Sequence, residues 1–330
     1  ARQAAALLRS QSEIQTLIDT TWQWLQQADS QIPRRLVPLG SPDYPEMLLH
    51  MADPPVLLYA MGQVERLRHA QPRIAMVGSR NPTPQGSSNA RAFAASFVEM
   101  GWTVVSGLAL GIDGAAHEGA LQKAVADEGG LPTIAVVGTG LDRVYPRQHH
   151  ELAHRIARQG VILSECPLGT PPAAHQFPKR NRIIAGLSHG VLAVEAALQS
   201  GSLITARLAM EQGKEVLAIP GSIHAPQSRG CHALIKQGAK LVESTADVME
   251  ELRGMLPQQK QGAALAADAA NAKPNAPVPK AAPAATDTAN DAQHDSTKPD
   301  PDALLQALGH DPVGLDALLA RTGMDAAVLQ

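Results

Sequence analysis

Residues 73–80 read Arg-Ile-Ala-Met-Val-Gly-Ser-Arg, a short apolar run that ends abruptly in a glycine, a hydroxyl and a cation. The pattern returns as TVVSGLALG from 103, TIAVVGTG from 133, GVILSE from 160, GVLAVEAA from 190, EVLAIPGS from 215 and AKLVES from 239. Each run begins roughly 25 to 30 residues after the last, the length of one strand-helix unit. Helical patterns fill the gaps, such as NARAFAASFVEMG from 89 and ELAHRIARQG from 151, each closed by a glycine suited to a helix C-terminus. Strands that alternate with helices in this way predict an α/β core over residues 71–256, a parallel sheet with helices on both faces.

Outside that core the composition changes. Residues 1–70 combine an amphipathic stretch, LLRSQSEIQTLIDTTWQWLQQ, with a Pro-rich passage from Pro33 to Tyr59, which predicts a small helical N-terminal region and connector. Residues 257–301 are rich in Ala, Pro and Asp with almost no large apolar side chain, and predict a disordered tether. The last stretch, 302–330, reads as two short helices, a turn at Gly323 and the opening of a third, a winged-helix-like segment expected to be incomplete.

No stretch approaches the roughly 20 apolar residues of a membrane helix, and the start, Ala1-Arg2-Gln3, lacks a signal-peptide pattern, so a cytoplasmic location is expected. Cys166 and Cys231 are isolated and predict neither a disulfide framework nor a structural zinc site. The net charge of −3 argues at first against a polyanionic partner. However, residues 257–302 carry four Lys and six Asp, and residues 303–330 one Arg and three Asp. Residues 1–256 are therefore +1, a balance that permits a local phosphate groove while excluding a broadly cationic coat.

In open parallel sheets ligands bind beyond the carboxyl ends of the strands. Those positions hold Gly78-Ser79-Arg80, Ser106-Gly107 with Gly111-Ile112-Asp113, and Gly138-Thr139-Gly140. Such loops bring backbone N–H groups close to an anion, although the same glycines could simply make tight turns. Lys179-Arg180-Asn181-Arg182 places three cations within four residues, with Arg80 and Arg147 at other turns of the same rim. Gly201, Ser202 and Thr205 stand at the start of a helix, suited to capping it or to holding a phosphate. These residues together predict an anion groove, against the plainer reading of a solvated charge run.

Other patterns leave alternatives open or fail. No phosphate-loop motif occurs, and Gly138-Thr139-Gly140-Leu141-Asp142-Arg143 has Arg where a dinucleotide fingerprint needs glycine. His150-Glu151-Leu152-Ala153-His154 formally fits a zinc-protease motif but stands alone. Asp113 and His117 could be an acid-base pair or could cap and pack a helix. No cofactor or metal is called for.

Ala75–Arg80, Ser106–Asp113 with Ala116-His117, and Phe177–Ser188 resemble the signature blocks of the DprA (Smf) family, as do Glu195-Ala196, Ser200–Thr205 and Ile219–Ser222. The match runs in order over roughly residues 33–252. The resemblance implies an extended Rossmann-like fold and a non-enzymatic homodimer that binds single-stranded DNA with little sequence preference. It also implies protection of incoming DNA in natural transformation and loading of the RecA recombinase. On it, Gly78, Ser79, Arg80, Ser106, Gly107 and Lys179–Arg182 would contact DNA, with Arg147 after Tyr145-Pro146. A Rossmann-type nucleotide or phosphoribosyl hydrolase, using Glu165 or Glu195, would explain the glycine loops equally well and the basic block less well. Finally, the last strand-helix unit should lie at a sheet edge, so His232, Ile235 and Leu241 are expected at the interface between subunits.

Overall fold

The computed structural model describes residues 2–28, 31–69, 71–124 and 130–255, with side chains placed from residue 12 onward. The chain divides into two compact units, Ala1–Leu256 and Pro257–Gln330. The second, with the expected tether and winged-helix-like segment, lies outside the described residues.

Helix α1 (Arg2–Gln26) opens the chain and is followed by strands β1 (Arg34–Pro38) and β2 (Leu57–Gly62). Seven strand-helix units come next: β3 (Arg73–Gly78), α2 (Pro84–Glu99), β4 (Thr103–Ser106), α3 (Ile112–Gln122), β5 (Thr133–Val137), α4 (His150–Gln159) and β6 (Val161–Ser164). They continue as α5 (Gln176–Gly186), β7 (Gly190–Glu195), α6 (Ser202–Glu211), β8 (Glu215–Ala218), α7 (Arg229–Lys236), β9 (Lys240–Leu241) and α8 (Thr245–Leu252). The nine strands form one sheet in the order β1-β2-β6-β5-β4-β3-β7-β8-β9. From β6 to β9 every pairing is parallel, as the repeating units predict.

The apolar runs become strands because both faces of this sheet are covered. β4, β5, β6 and β7 are buried at every position. Side chains alternate across the pleat, so Ile74 and Met76 join Phe97 and Trp102 on one face, while Ala75 and Val77 join Leu48, Ile183 and Ile184 on the other. No described helix is long and apolar enough to cross a membrane.

The N-terminal region differs from the expectation. Only α1 is a long helix there; the Pro-rich passage supplies β1 and β2, which extend the sheet antiparallel from β6. Prolines obscured these strands in the sequence, yet Pro33 and Pro38 fall at the margins of β1, an edge strand where a missing N–H is tolerated. The helix is tied to the sheet by Trp24, whose ring centroid lies 6.0 Å from that of Tyr59.

β2 meets its neighbour very closely at Gly62, where φ is +112° and an added Cβ would collide with the Gly160 carbonyl oxygen. Gly40 also has positive φ, +81°, but open space around it. Gly40→Ala should therefore cost only the left-handed backbone penalty, about 1 kcal/mol, whereas Gly62→Ala should lose roughly 3 kcal/mol in urea denaturation. Equal losses would show that β2 does not press on the β6 turn.

Candidate functional site

Parallel strands end on one rim, and the rim opens most widely where the strand order reverses, because successive helices there leave on opposite faces. That reversal falls between β3 and β7, where a cavity of about 810 Å³ opens. Gly78, Ser79, Arg80 and Asn81 line it from the β3 loop, Phe177, Arg180 and Asn181 from α5, and Gly201, Ser202 and Thr205 from the start of α6.

The β3 loop is held on both sides. Pairing with β7 shifts between Val77 and Gly78, so that Gly78 stands opposite Glu195, and the Ser79 N–H donates to the Glu195 carbonyl at 2.6 Å. The Ser79 carbonyl accepts from the Ile112 N–H at 3.0 Å, and Gly111, at φ +80°, comes so near that an added Cβ would collide with that oxygen. Glycine is required there for both reasons. Loop rigidity leaves the Arg80 side chain projecting to solvent, its Cζ 5.4 Å from the centroid of the Phe177 ring. Phe177 stacks in turn on Tyr145, with centroids 5.8 Å apart and planes at 28°.

The basic block does not act as one patch, because consecutive helical residues point about 100° apart. Lys179 is exposed, and neither it nor Arg147 lines the cavity. Arg182 turns away and pairs with Glu165 through two contacts of 2.6 Å and with Asp53 at 3.2 Å. Arg180 turns inward and is only 7% exposed. Its guanidinium donates to the carbonyls of Gly107 and Val136, and its Nε to Asn181 Oδ1 at 3.1 Å. An added Cβ on Gly107 would strike that guanidinium. Burial pushes Arg180 down to about 10, with Asp113 acting the other way.

Asp113 and His117 are not an acid-base pair. The Asp113 carboxylate accepts from the N–H groups of Gly107 at 3.1 Å and Ala109 at 3.3 Å. Burial raises it, and Arg180 together with those two donors opposes the rise. His117 Nδ1 instead meets Thr133 Oγ1 at 2.7 Å, and burial, helped by His149 and Arg180, pushes the imidazole down to about 3. Ser106 is likewise structural, its hydroxyl donating to the Met76 carbonyl at 2.6 Å. The His150 and His154 rings lie 4.6 Å apart, and no group of three His, Cys, Asp or Glu side chains suited to a metal occurs among the described residues.

Of the expected contact residues, the cavity thus gathers Gly78, Ser79, Arg80, Arg180, Asn181, Gly201, Ser202 and Thr205. Ser106 and Gly107 lie behind its wall as supports, although Gly107 also lines an adjoining recess of about 80 Å³ with Arg80, Tyr145 and Phe177. Tyr145 and Phe177 were missing from the expected set. An aromatic residue followed by proline, Tyr145-Pro146 in a loop and Phe177-Pro178 in the first turn of α5, was the available signal.

The family described as DNA recombination-mediator protein A matches residues 35–253, which spans β1 to α8 and every wall of this cavity. The chain belongs to that family. The DprA winged helix domain matches residues 279–330, overlapping the second half of the expected tether and lying outside the described residues. Protein Smf of Escherichia coli is 46% identical over 237 residues, 72% of this chain and 60% of that protein. The chain thus spans about 60% of the length of that curated relative. The X-ray structure of DprA from Streptococcus pneumoniae superposes with a TM-score of 0.61 at 46% identity, covering 66% of this chain and 74% of that one. A Helicobacter pylori DprA structure, described as giving insight into a single-stranded DNA binding mode, gives 0.59 at 30% identity, covering 68% and 98%.

Within this recombination-mediator fold the two rim arginines should separate by measurement. Removing Arg180 leaves buried carbonyls and Asp113 uncompensated, so Arg180→Ala should lose about 3–5 kcal/mol in urea denaturation. Arg80→Ala, at an exposed position, should change stability by no more than about 0.5 kcal/mol. An unchanged midpoint for Arg180→Ala would move that residue from support to ligand contact.

Proposed function

We propose that the chain binds single-stranded DNA along the β3–β7 rim, chiefly through backbone phosphates, in the cytoplasm. The observation that carries this reading is Arg80, an exposed guanidinium on a rigid glycine loop beside the stacked Phe177 and Tyr145 at the mouth of the cavity. A guanidinium pairs with phosphate oxygens, while an aromatic face accepts any base, and neither reads sequence. The single-stranded DNA binding mode described for the Helicobacter pylori relative supports the same ligand class. In this reading the protein protects incoming strands during natural transformation and loads the RecA recombinase on them. Lys179 and Arg147, exposed near the rim, would extend the phosphate path beyond the cavity.

The hydrolase reading is less well supported. Its two candidate carboxylates are engaged, Glu165 by Arg182 and Glu195 by the Thr83 N–H at 2.8 Å. Gly86 also presses on Glu195, since an added Cβ there would collide with its Oε2. Neither carboxylate is placed as an unpaired base, so we propose a binding protein rather than an enzyme.

Each single-strand phosphate contact contributes about 0.7 to the slope of log affinity against log salt. Arg80→Ala should flatten that slope by somewhat less than this amount and weaken homopolymers alike, while Arg182→Ala should leave the slope unchanged. Fluorescence anisotropy across a salt series reads both, and wild-type affinity for Arg80→Ala at low salt would remove the groove.

Assembly as a homodimer is proposed at the β9 edge of the sheet. Leu241 there is 51% exposed on an outer strand, and His232 sits nearby on α7 with Nε2 3.0 Å from the Gly221 carbonyl. Ile235 packs partly against its own core, which makes Leu241 the cleaner probe. Wild-type protein should sediment as a dimer at micromolar concentration and Leu241→Arg as a monomer; a dimer that survives the substitution places the interface elsewhere.

A further inference from the structure

The cavity is chemically lopsided. One end carries Arg80, Phe177 and Tyr145; the other, where α6 begins, carries the hydroxyls of Ser200, Ser202 and Thr205 and no cation of its own. Arg180 also reaches the cavity wall, with Nη1 held by the Gly107 and Val136 carbonyls and Nε by Asn181, which leaves Nη2 as its one nitrogen without a hydrogen bond among the described residues. The Ser200 and Ser202 hydroxyls lie 2.6 Å apart and bond each other. The N-cap of the ten-residue helix α6 is Gly201, which has no side chain to offer, and the Ser200 hydroxyl accepts from the Ser202 N–H at a long 3.4 Å.

Thr205 is the independent sign of a ligand. It is 1% exposed, lines the cavity, and makes no hydrogen bond with its side chain among the described residues. Thr16 and Thr20 in α1, by contrast, return their hydroxyls to backbone carbonyls one turn back, as threonine normally does in a helix. The hydroxyl is reached from the cavity and is not sealed in the core, so the cavity is the route by which a partner can arrive.

The shape of the approach selects the partner. A phosphodiester inside a strand has a sugar on either side and presents two free oxygens laterally, so it can rest on an exposed loop such as that of Arg80. It cannot reach down to a hydroxyl on a residue that is almost wholly covered. A phosphomonoester ends in three unesterified oxygens, carries extra negative charge near neutral pH, and enters end-on. Neutral hydroxyl donors at an open helix N-terminus suit such a group. Asp113 also lines the cavity, and its carboxylate is occupied by the loop N–H groups of Gly107 and Ala109.

We propose that the α6 end of the cavity is a phosphomonoester site, which seats the terminal phosphate of a nucleotide with Thr205 as its deepest donor. This rests on the single-strand reading above and adds recognition of an end to it. The same chemistry could come from a phosphorylated strand terminus or from a free nucleotide, and the experiment separates the two.

The test compares the affinities of three dT20 oligonucleotides, bearing a 5′-phosphate, a 3′-phosphate or hydroxyls at both ends, for the full chain. A fourth arm adds free dTMP as competitor. One phosphorylated terminus should bind about tenfold more tightly than the hydroxyl strand, the worth of hydrogen bonds to a charged acceptor. Thr205→Val should collapse that ratio to near one, and Thr205→Ser, which keeps the hydroxyl, should preserve it. Arg80→Ala should weaken all three strands and leave the ratio intact, and wild-type affinity of Thr205→Val for the hydroxyl strand shows that its loss does not come from folding. Displacement of the phosphorylated strand by dTMP assigns the site to free nucleotides as well; no displacement confines it to strand ends. Equal affinity for all three strands together with no effect of dTMP overturns the proposal, as does a ratio that persists in Thr205→Val. Failure of the hydroxyl strand to bind at any salt would instead overturn the single-strand reading.

Discussion

A guanidinium enclosed by the ends of parallel strands must satisfy most of its donors internally, and Arg180 does so through Nη1 and Nε, with Nη1 gripping the ends of the two strands beside its helix. Its hydrogen bonds to Gly107 and Val136 tie α5 to the ends of β4 and β5. On the far side of Gly107, the carboxylate of Asp113 accepts the same residue's N–H. Gly107 therefore carries charge-assisted hydrogen bonds in both directions, which fixes the loop and with it the following residue. Leu108 is held at φ +58°, an unusual conformation for a bulky side chain, and its carbonyl lies 3.0 Å from His149 Nδ1. Loops that would otherwise be mobile thus stand as walls of the cavity.

This arrangement explains why cations crowd one segment of a nearly neutral chain while serving different ends. Lys179, Arg180 and Arg182 are neighbours in sequence but meet solvent, the loop carbonyls and the Glu165 carboxylate respectively. Elsewhere, Arg35, Arg91, Lys123 and Lys240 are each paired with a carboxylate on the surface. Such pairs are worth little to stability, about 1 kcal/mol at most, but they remove positive charge from the far field. Arg80 forms no ion pair among the described residues, and its guanidinium rests over Phe177 instead. A cation left unpaired beside the cavity suits the proposed local phosphate contact better than a general attraction for polyanions.

The core was legible because its signals are periodic. All seven apolar runs became β3 to β9, since a parallel sheet buried on both faces demands uninterrupted apolar strands and each strand must be reached by a crossover. The antiparallel β1 and β2 were not legible, since prolines and short length hid them, and β6, to which β2 pairs, lies about a hundred residues away. The site was legible at the level of loops and not of side chains. Glycines at 78, 107 and 111 announced close approaches, and each proved to face a contact that a Cβ would violate. Which way an arginine points depends on helix phase and on what waits behind it. Thus Arg180 and Arg182 look equivalent in a string of letters and differ entirely once α5 is laid on the rim. The aromatic pair was missed for a similar reason. Tyr145 and Phe177 are 32 positions apart and meet only when the β5 and β6 loops fold over the same strand ends.

A rim built in this way divides its labour between rigidity and charge. Buried polar residues, namely Arg180, Asp113, Ser106 and Glu195, commit hydrogen bonds to backbone groups of neighbouring loops and strands, and His117 bonds the Thr133 hydroxyl, so they set geometry and contribute little field outside. The groups that face the cavity are then few: one free guanidinium, a stacked aromatic pair and a set of hydroxyls. With so few charges at the cavity, the proposed strand binding would have a modest electrostatic part at one rim and would not fall steeply with salt. Retention of a strand by such a surface would depend instead on preorganised donors, which lose little entropy on binding, and on any second rim brought close by self-association. That requirement links the two ends of the sheet. On the proposed reading, the β3–β7 opening would set what a single rim can hold, and the exposed β9 edge would set whether two rims can hold it together.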